Sequence, residues 1–379
     1  MILYRLKGFY QYVSIKFSLF SAKLLSPAID DVELAKKNLI KRNFKWQGGR
    51  KTNVIAIFSI NNWENKLLEA LEIIGPVSHI TWDHIHEFYD SKQDWSIEKK
   101  KLNDYVRLKF DELYQEDNNV FVFMYVSDFI IDVETVQYFK KRNVLIANFC
   151  WDDLLYFKSS YMGQSIGVAN ISKYVDFNLS FSPEAFPRYH FNRSPVFFWS
   201  SVSYTNDLLI NTNQLTQIDV SNEFYVLFIG SKYGWRAKFI EKLKSHGIKV
   251  ICYGNGWENG ALSEDRMKEE IRNAPITLGF ANVGYTQSIT TIKGRDFEVP
   301  TYGGLYLTQI SLGIEKYYKI GREIFSYKNS DDCIEIIEFV RANIDIANAI
   351  RNAGYSHGVN FCSWRSRGEF LRVLISKLI

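Results

Sequence analysis

The sequence predicts an α/β fold of two doubly wound, parallel-sheet halves facing each other across a cleft. Three observations lead there. From residue 53 onward, short apolar runs alternate with stretches of helical spacing, the order that a parallel sheet with crossover helices requires. The alternation breaks over residues 203–222, where Asn, Thr, Ser and Gln collect, and then restarts. A chain of 379 residues is also long for one core and comfortable for two. The expected division is a basic, aromatic helical segment over 1–50, a first Rossmann-like domain over 51–205, a linker over 206–222, and a second Rossmann-like domain with a terminal helix over 223–379.

In the first half, 53–58 reads as a strand buried on both faces, because its apolar residues run without polar alternation. Residues 64–74 read as a helix and 77–82 as the next strand. Residues 96–116 form a long polar helix with apolar residues spaced at Leu102, Val106, Phe110 and Leu113. Residues 120–126 are a continuous apolar strand, 132–141 a helix with Asp132 as its N-cap, and 144–149 another strand. Short closing strands are expected at 177–181 and 196–199. In the second half, strands are expected at 224–229, 250–253, 276–280 and 305–307. Helices are expected at 235–245, 263–273, 333–341 and 370–378.

Composition excludes several classes. Hydrophobic residues at 46% and charged residues at 23% are ordinary for a soluble globular chain. A net charge of +4 is too small to argue for nucleic acid. Cys150, Cys252, Cys333 and Cys362 lie far apart without a CxxC pair, which fits reduced cytoplasmic thiols better than a disulfide framework or zinc site. No run of about 18 apolar residues exists, so no spanning helix is expected.

The first 25 residues stand out. They hold Arg5, Lys7, Lys16 and Lys23, no acidic residue, and an interleaved set of rings that includes Phe9, Phe17 and Phe20. Two readings stand: a helix lying on an anionic membrane surface, and a terminal helix packed on its own domain. A second basic cluster between Lys36 and Lys51 tips the balance toward the surface.

Four constellations carry chemistry. The first, Gly230-Ser231-Lys232-Tyr233-Gly234-Trp235-Arg236, sits between strand and helix, where glycines admit a phosphate to helix N-terminal amides and Lys232 or Arg236 adds charge. It matches neither a P-loop nor a GxGxxG fingerprint. The second, Tyr253-Gly254-Asn255-Gly256-Trp257, follows a strand and offers rings to a base. The third is Lys293-Gly294-Arg295-Asp296-Phe297-Glu298-Val299-Pro300, approached through Gly284 and Tyr285 and followed by Gly303-Gly304. Lys293 and Arg295 suit a diphosphate as charge-assisted donors, and Glu298 suits the hydroxyls of a ribose. The fourth is acidic: Asp152 and Asp153, with Asp128 and Glu64, follow strands of the first half and are candidates for deprotonating an acceptor hydroxyl, Asp152 or Asp153 foremost. His84-Ile85-His86 suggests a metal only weakly, no Asp-x-Asp motif occurs, and neither a metal nor a cofactor is expected.

The stretches KGRDFEVPTYGGLYLT (293–308) and AGYSHGVNFCSWRSRGEFL (353–371) resemble the C-terminal half of CgeB-like glycosyltransferases, which have the GT-B fold and fall near the group 1 glycosyl transferases. The resemblance covers roughly residues 222–375. It implies that Glu298 binds the donor ribose, that Lys293 and Arg295 face the diphosphate, and that Gly230 sits in the phosphate-facing loop. Many retaining GT-B enzymes carry a second glutamate eight positions upstream; here that residue is Thr290, so the anomeric outcome is not implied.

The resulting expectation is a metal-independent transferase. A nucleotide sugar would bind the second half and a glycan or lipid-linked acceptor the first, at the inner face of a bacterial membrane in surface polysaccharide synthesis. A two-lobed nucleotide- or glycan-binding module and a GT-B nucleotide-sugar epimerase are the alternatives.

Overall fold

The computed structural model describes residues 2–25, 29–60, 64–83, 95–161, 164–199, 215, 217–218, 224–286 and 288–379. The chain divides into two compact units. One comprises Ile15–Ser200 with Trp364–Ile379, the other Met1–Ser14 with Ser201–Ser363. The linker of 206–222 lies almost wholly outside the described residues, as do His84 and His86.

The chain opens with helix α1 (Ile2–Leu25), shared between the units, and α2 (Asp31–Lys41), capped by the Asp30 carboxylate. The N-terminal unit then runs β1 (Thr52–Ile57), α3 (Lys66–Glu72), β2 (Val77–Ile80), α4 (Trp95–Leu113), β3 (Asn119–Met124), α5 (Val133–Lys140) and β4 (Val144–Cys150). It continues through the short α6 (Asp153–Tyr156), a small hairpin of β5 (Ser160–Tyr161) and β6 (Gln164–Ser165), β7 (Phe177–Ser180), α7 (Phe186–Phe191) and β8 (Val196–Phe198). Its main sheet has the order β2-β1-β3-β4-β7-β8 and is parallel throughout. Every residue of β3 and β4 is buried, as the unbroken apolar runs require of strands covered on both faces. Asp132 caps α5, its carboxylate accepting from the Thr135 amide at 2.7 Å.

The C-terminal unit runs β9 (Val226–Ile229), α8 (Arg236–Ser245), β10 (Val250–Tyr253), α9 (Glu264–Asn273), β11 (Ile276–Gly279), α10 (Gly294–Thr301), β12 (Tyr306–Gln309), β13 (Phe325–Tyr327), α11 (Ser330–Ala342) and α12 (Ile344–Phe361). Its sheet, β10-β9-β11-β12-β13, is again parallel. Phe228, Phe239, Phe280, Leu307 and Tyr327 pack in its core.

The structure revises the expected division at both ends. The last helix, α13 (Trp364–Leu378), belongs to the N-terminal unit, where its apolar face packs on α3. Trp364 is buried beside Trp199, whose indole N–H donates to the Arg367 carbonyl at 3.2 Å. Residues 1–14 cluster with the C-terminal unit. Order along the chain suggested the opposite, because these contacts are distant in sequence. Helix α12 and strand β13 were absent from the sequence reading. The apolar residues of α12 are interrupted by Asn, Ser, His and two glycines, one of them, Gly358, packed against Thr301 on α10.

Candidate functional site

In a parallel sheet, strand carboxyl ends deliver loop amides and helix N-termini to one edge. In the C-terminal unit that edge gathers most of the residues expected to hold a donor. The loops after β9 and β10 touch through backbone: the Gly230 amide donates to the Tyr253 carbonyl at 2.9 Å, and the Lys232 amide to the Asn255 carbonyl at 2.8 Å. Gly254 has φ of 121°, and a Cβ there would lie 2.5 Å from the Gly230 carbonyl oxygen, so only glycine lets the two loops close on each other. Lys232 is exposed, its ammonium 4.9 Å from the Trp257 ring centre. The Trp257 indole N–H in turn donates to the Gly230 carbonyl at 2.8 Å.

Helix α10 begins at the same edge. Arg295 is half-buried and its Nε donates to the Ile229 carbonyl, at the end of β9, at 3.4 Å. Its guanidinium pairs with the Glu298 carboxylate one turn on. The pair is thus preformed at the start of α10. Burial lowers the Arg295 pKa, with no loss of charge at neutral pH. Lys293 precedes the helix, and its amide donates to Asp296 at 2.7 Å.

Asp296 had been passed over in the sequence. It is fully buried and also accepts from the Tyr306 and Thr308 hydroxyls at 2.9 and 3.0 Å. Burial pushes its pKa up to about 6, against the lowering effect of those three donors. Asp296 fixes where α10 starts, and so where Lys293 and Arg295 stand. Asn282 opens the approach to this run. It is buried and its amide donates to the Gly284 carbonyl at 2.9 Å, bracing the turn that carries Tyr285. Its only sequence signal was an Asn two residues before a glycine.

Two expectations change here. Arg236 lies beneath rings, 4.1 Å from the Tyr233 centroid and within 6 Å of Phe228 and Phe280, and donates to the Ser231 carbonyl at 3.2 Å. It shapes the loop from below. Gly303 and Gly304 turn the chain between α10 and β12, where the buried Arg351 donates to the Gly303 carbonyl at 2.5 Å. They belong to the support of the helix and lie at its far end from Lys293.

The N-terminal unit has a cavity of about 370 Å³ at the carboxyl ends of β1, β3 and β4. Ser59, Glu64, Tyr125, Trp151, Asp152 and Tyr156 line it. Among the described lining residues there are two carboxylates and no cation. The Tyr125 phenol is pushed up by burial and by the neighbouring Cys150, Asp152 and Glu64.

Asp152 and Asp153 part company. Asp152 is exposed at the mouth, while Asp153 is fully buried under α6, where the Tyr189 hydroxyl donates to it at 3.0 Å. Burial raises the Asp153 pKa to about 7 despite donors from Ser180 and Tyr189 and the nearby Arg188. Its side chain points into the core and away from any acceptor. Asp128 is also structural, accepting from the Asn170 and Ile171 amides and the Ser165 hydroxyl.

A family model described as glycosyl transferase-like matches residues 236–372, from α8 into α13. No curated protein matches the sequence. Solved structures share the fold. A glycosyltransferase from Rickettsia africae aligns with a TM-score of 0.60 at 10% identity, over 86% of this chain and 99% of that one. Sucrose-phosphate synthase from Thermosynechococcus elongatus aligns at 0.56 and 11%, over 87% and 99%. Anabaena HepE in complex with UDP and glucose aligns at 0.55 and 9%, over 86% and 100%. The fold is therefore the GT-B fold of these glycosyltransferases, and residues 236–372 carry the match to the glycosyl transferase-like family model.

Proposed function

We propose that the protein transfers a sugar from a nucleotide-sugar donor, bound at the carboxyl edge of the C-terminal unit, to a hydroxyl of a glycan or lipid-linked acceptor seated in the N-terminal cavity. The observation that carries this reading is the meeting of the Gly230 and Gly254 loops with Arg295 at the end of β9. The complex of HepE with UDP and glucose, a structure of the same fold, supports a nucleotide-sugar donor.

In this reading the donor diphosphate lies against the Gly230 loop and the N-terminal amides of α10, with Lys293, Arg295 and Lys232 neutralising it. Glu298 accepts from the ribose hydroxyls. Tyr253 and Trp257 offer faces to the base. The bond from the sugar C1 to the diphosphate oxygen breaks, and its electron pair leaves with the nucleoside diphosphate. The acceptor oxygen bonds to C1, and its proton passes to the Asp152 carboxylate. The cations stabilise the leaving group without a metal. The resemblance to CgeB-like enzymes, the acidic, ring-lined cavity and the basic N-terminal helix point to bacterial surface polysaccharide synthesis, as in lipopolysaccharide or capsule, at the inner face of the membrane.

The test is a thermal-shift screen with UDP, GDP, CMP and ADP and their sugars, followed by turnover. A ligand at about a hundred times its dissociation constant stabilises the fold by about 2.7 kcal/mol, a visible shift. A shift in the wild type that is lost in Glu298→Gln and Lys293→Ala supports the donor site; no shift with any nucleotide overturns it. Nucleotide binding without transfer would leave a binding module, and conversion of the nucleotide sugar to its epimer without any acceptor an epimerase.

A further inference from the structure

Helix α1 has a buried face and an exposed face. Gly8, Ile15 and Ala22 are buried and form one stripe. Phe9, Val13, Phe17, Phe20 and Leu24 recur at three- and four-residue spacing on the other side, with Phe9 67%, Phe17 72%, Phe20 66% and Leu24 70% exposed. Exposed Lys16 and Lys23 flank that face, and no acidic residue occurs in the first 25. A contiguous exposed aromatic stripe on a folded protein marks an interaction surface. A basic, aromatic face fits an anionic bilayer, with rings entering the headgroup boundary and lysines near the lipid charge. Among the described residues no helix is long and apolar enough to cross a membrane, so α1 would lie on the surface.

The inner face touches the donor edge. The Gln11 side-chain carbonyl accepts from the Tyr285 amide at 2.8 Å, and the Lys7 ammonium sits 4.4 Å from the Tyr285 ring centre. Gly8 packs so closely that a Cβ there would lie 2.5 Å from the Tyr285 carbonyl oxygen. Tyr285 in turn meets the Tyr233 ring edge to face at 5.7 Å and covers Gly234, both in the loop after β9. One helix therefore presents rings outward and holds a donor-site loop inward.

We propose that α1 docks on anionic lipid and that Lys7, Gly8 and Gln11 couple this docking, through Tyr285, to the loop carrying Gly230. They are positioning residues, and the coupling half of the proposal rests on the donor-site reading above. A helix immobilised on a bilayer holds Tyr285 in one place, so the nucleotide binds a loop already ordered.

The experiment uses the full chain in two separable readouts. Co-sedimentation is measured with phosphatidylcholine vesicles and with vesicles containing phosphatidylglycerol, without nucleotide. The wild type is expected with the anionic vesicles only. Phe17→Asp with Phe20→Asp should lose about tenfold or more of the bound fraction while melting like the wild type, since both rings are exposed. Equal sedimentation of wild type and variant, or none with either vesicle, overturns the docking; capture by another protein instead of lipid does so too. UDP affinity is then measured with and without anionic vesicles. Tighter UDP binding on vesicles in the wild type, and no such gain in Gly8→Ala with vesicle binding retained, supports the coupling. Equal UDP affinity on and off vesicles overturns the coupling and leaves the docking standing. Absence of binding by UDP, GDP, CMP and ADP alike in both conditions strikes the donor reading and the coupling with it, and leaves the sedimentation result intact.

Discussion

The two units share one architecture and differ in the chemistry at the same place. Both are parallel sheets whose carboxyl edges gather loops and helix starts. In the N-terminal unit the edge is a cavity of about 370 Å³ walled by rings, with Glu64 and Asp152 and no cation among the described lining residues. In the C-terminal unit the edge is a closure of glycine loops bordered by Lys232, Lys293 and Arg295. An acidic, ring-lined cavity suits an uncharged, hydroxyl-rich sugar and repels phosphate. A cationic glycine edge does the reverse. Backbone topology thus provides two equivalent positions, and under the proposed transfer their side chains would divide the labour between acceptor and anionic donor.

Asp152→Asn tests that division most severely. It should lower kcat by roughly 10²- to 10⁴-fold and leave UDP binding unchanged, if Asp152 takes the acceptor proton. A matching loss in UDP affinity, read by calorimetry, would erase the distinction between the edges.

Lys293→Ala or Arg295→Ala should cost about 10²- to 10³-fold in turnover, and should weaken UDP more than uridine, because the lost interaction is with phosphate. Equal weakening of both ligands would place these cations elsewhere.

Asp153→Asn separates the two neighbouring aspartates by pH. The folded-state pKa of Asp153 is raised to about 7 from an ordinary value of 3.8, so the folded chain binds the proton more tightly than the unfolded one. Its contribution to stability therefore falls as pH rises between those values, and the cost of burying the anion is complete above about pH 7. The Asn variant should gain stability relative to the wild type between pH 5 and pH 8, on the order of a few kcal/mol, in urea titrations at the two pH values. A constant difference across that range would mean Asp153 does not titrate there.

The smallest effect is expected for Tyr156→Ala. Its ring is 45% exposed at the cavity mouth, and its loss should raise the acceptor KM by about tenfold with kcat held.

The sheets were legible because their signal is local. Runs such as Val120–Met124 and Val144–Cys150 admit no solvent-facing alternation, and their strands are buried on both faces. The Asp132 cap was legible for the same reason: it precedes its helix and accepts from the Thr135 amide three residues on. The candidate donor edge was half legible. Residue type and position after a strand pointed to Lys232, Lys293, Arg295 and Glu298, while Arg236 looked equally exposed and instead lies under three rings. Asp296 was hidden by its charge, since nothing in the sequence signals that Tyr306 and Thr308 will close over it.

What the sequence alone determined is most of the element order, the parallel winding and the residue types available at each strand end, because hydrophobic period and capping act over a few residues. Only the tertiary structure decided that Asp152 faces the cavity and Asp153 the core, that α13 returns to the N-terminal unit, and that Gln11 reaches Tyr285. Those outcomes depend on which surfaces far apart in the chain exclude water together, and burial of that kind has no period to read.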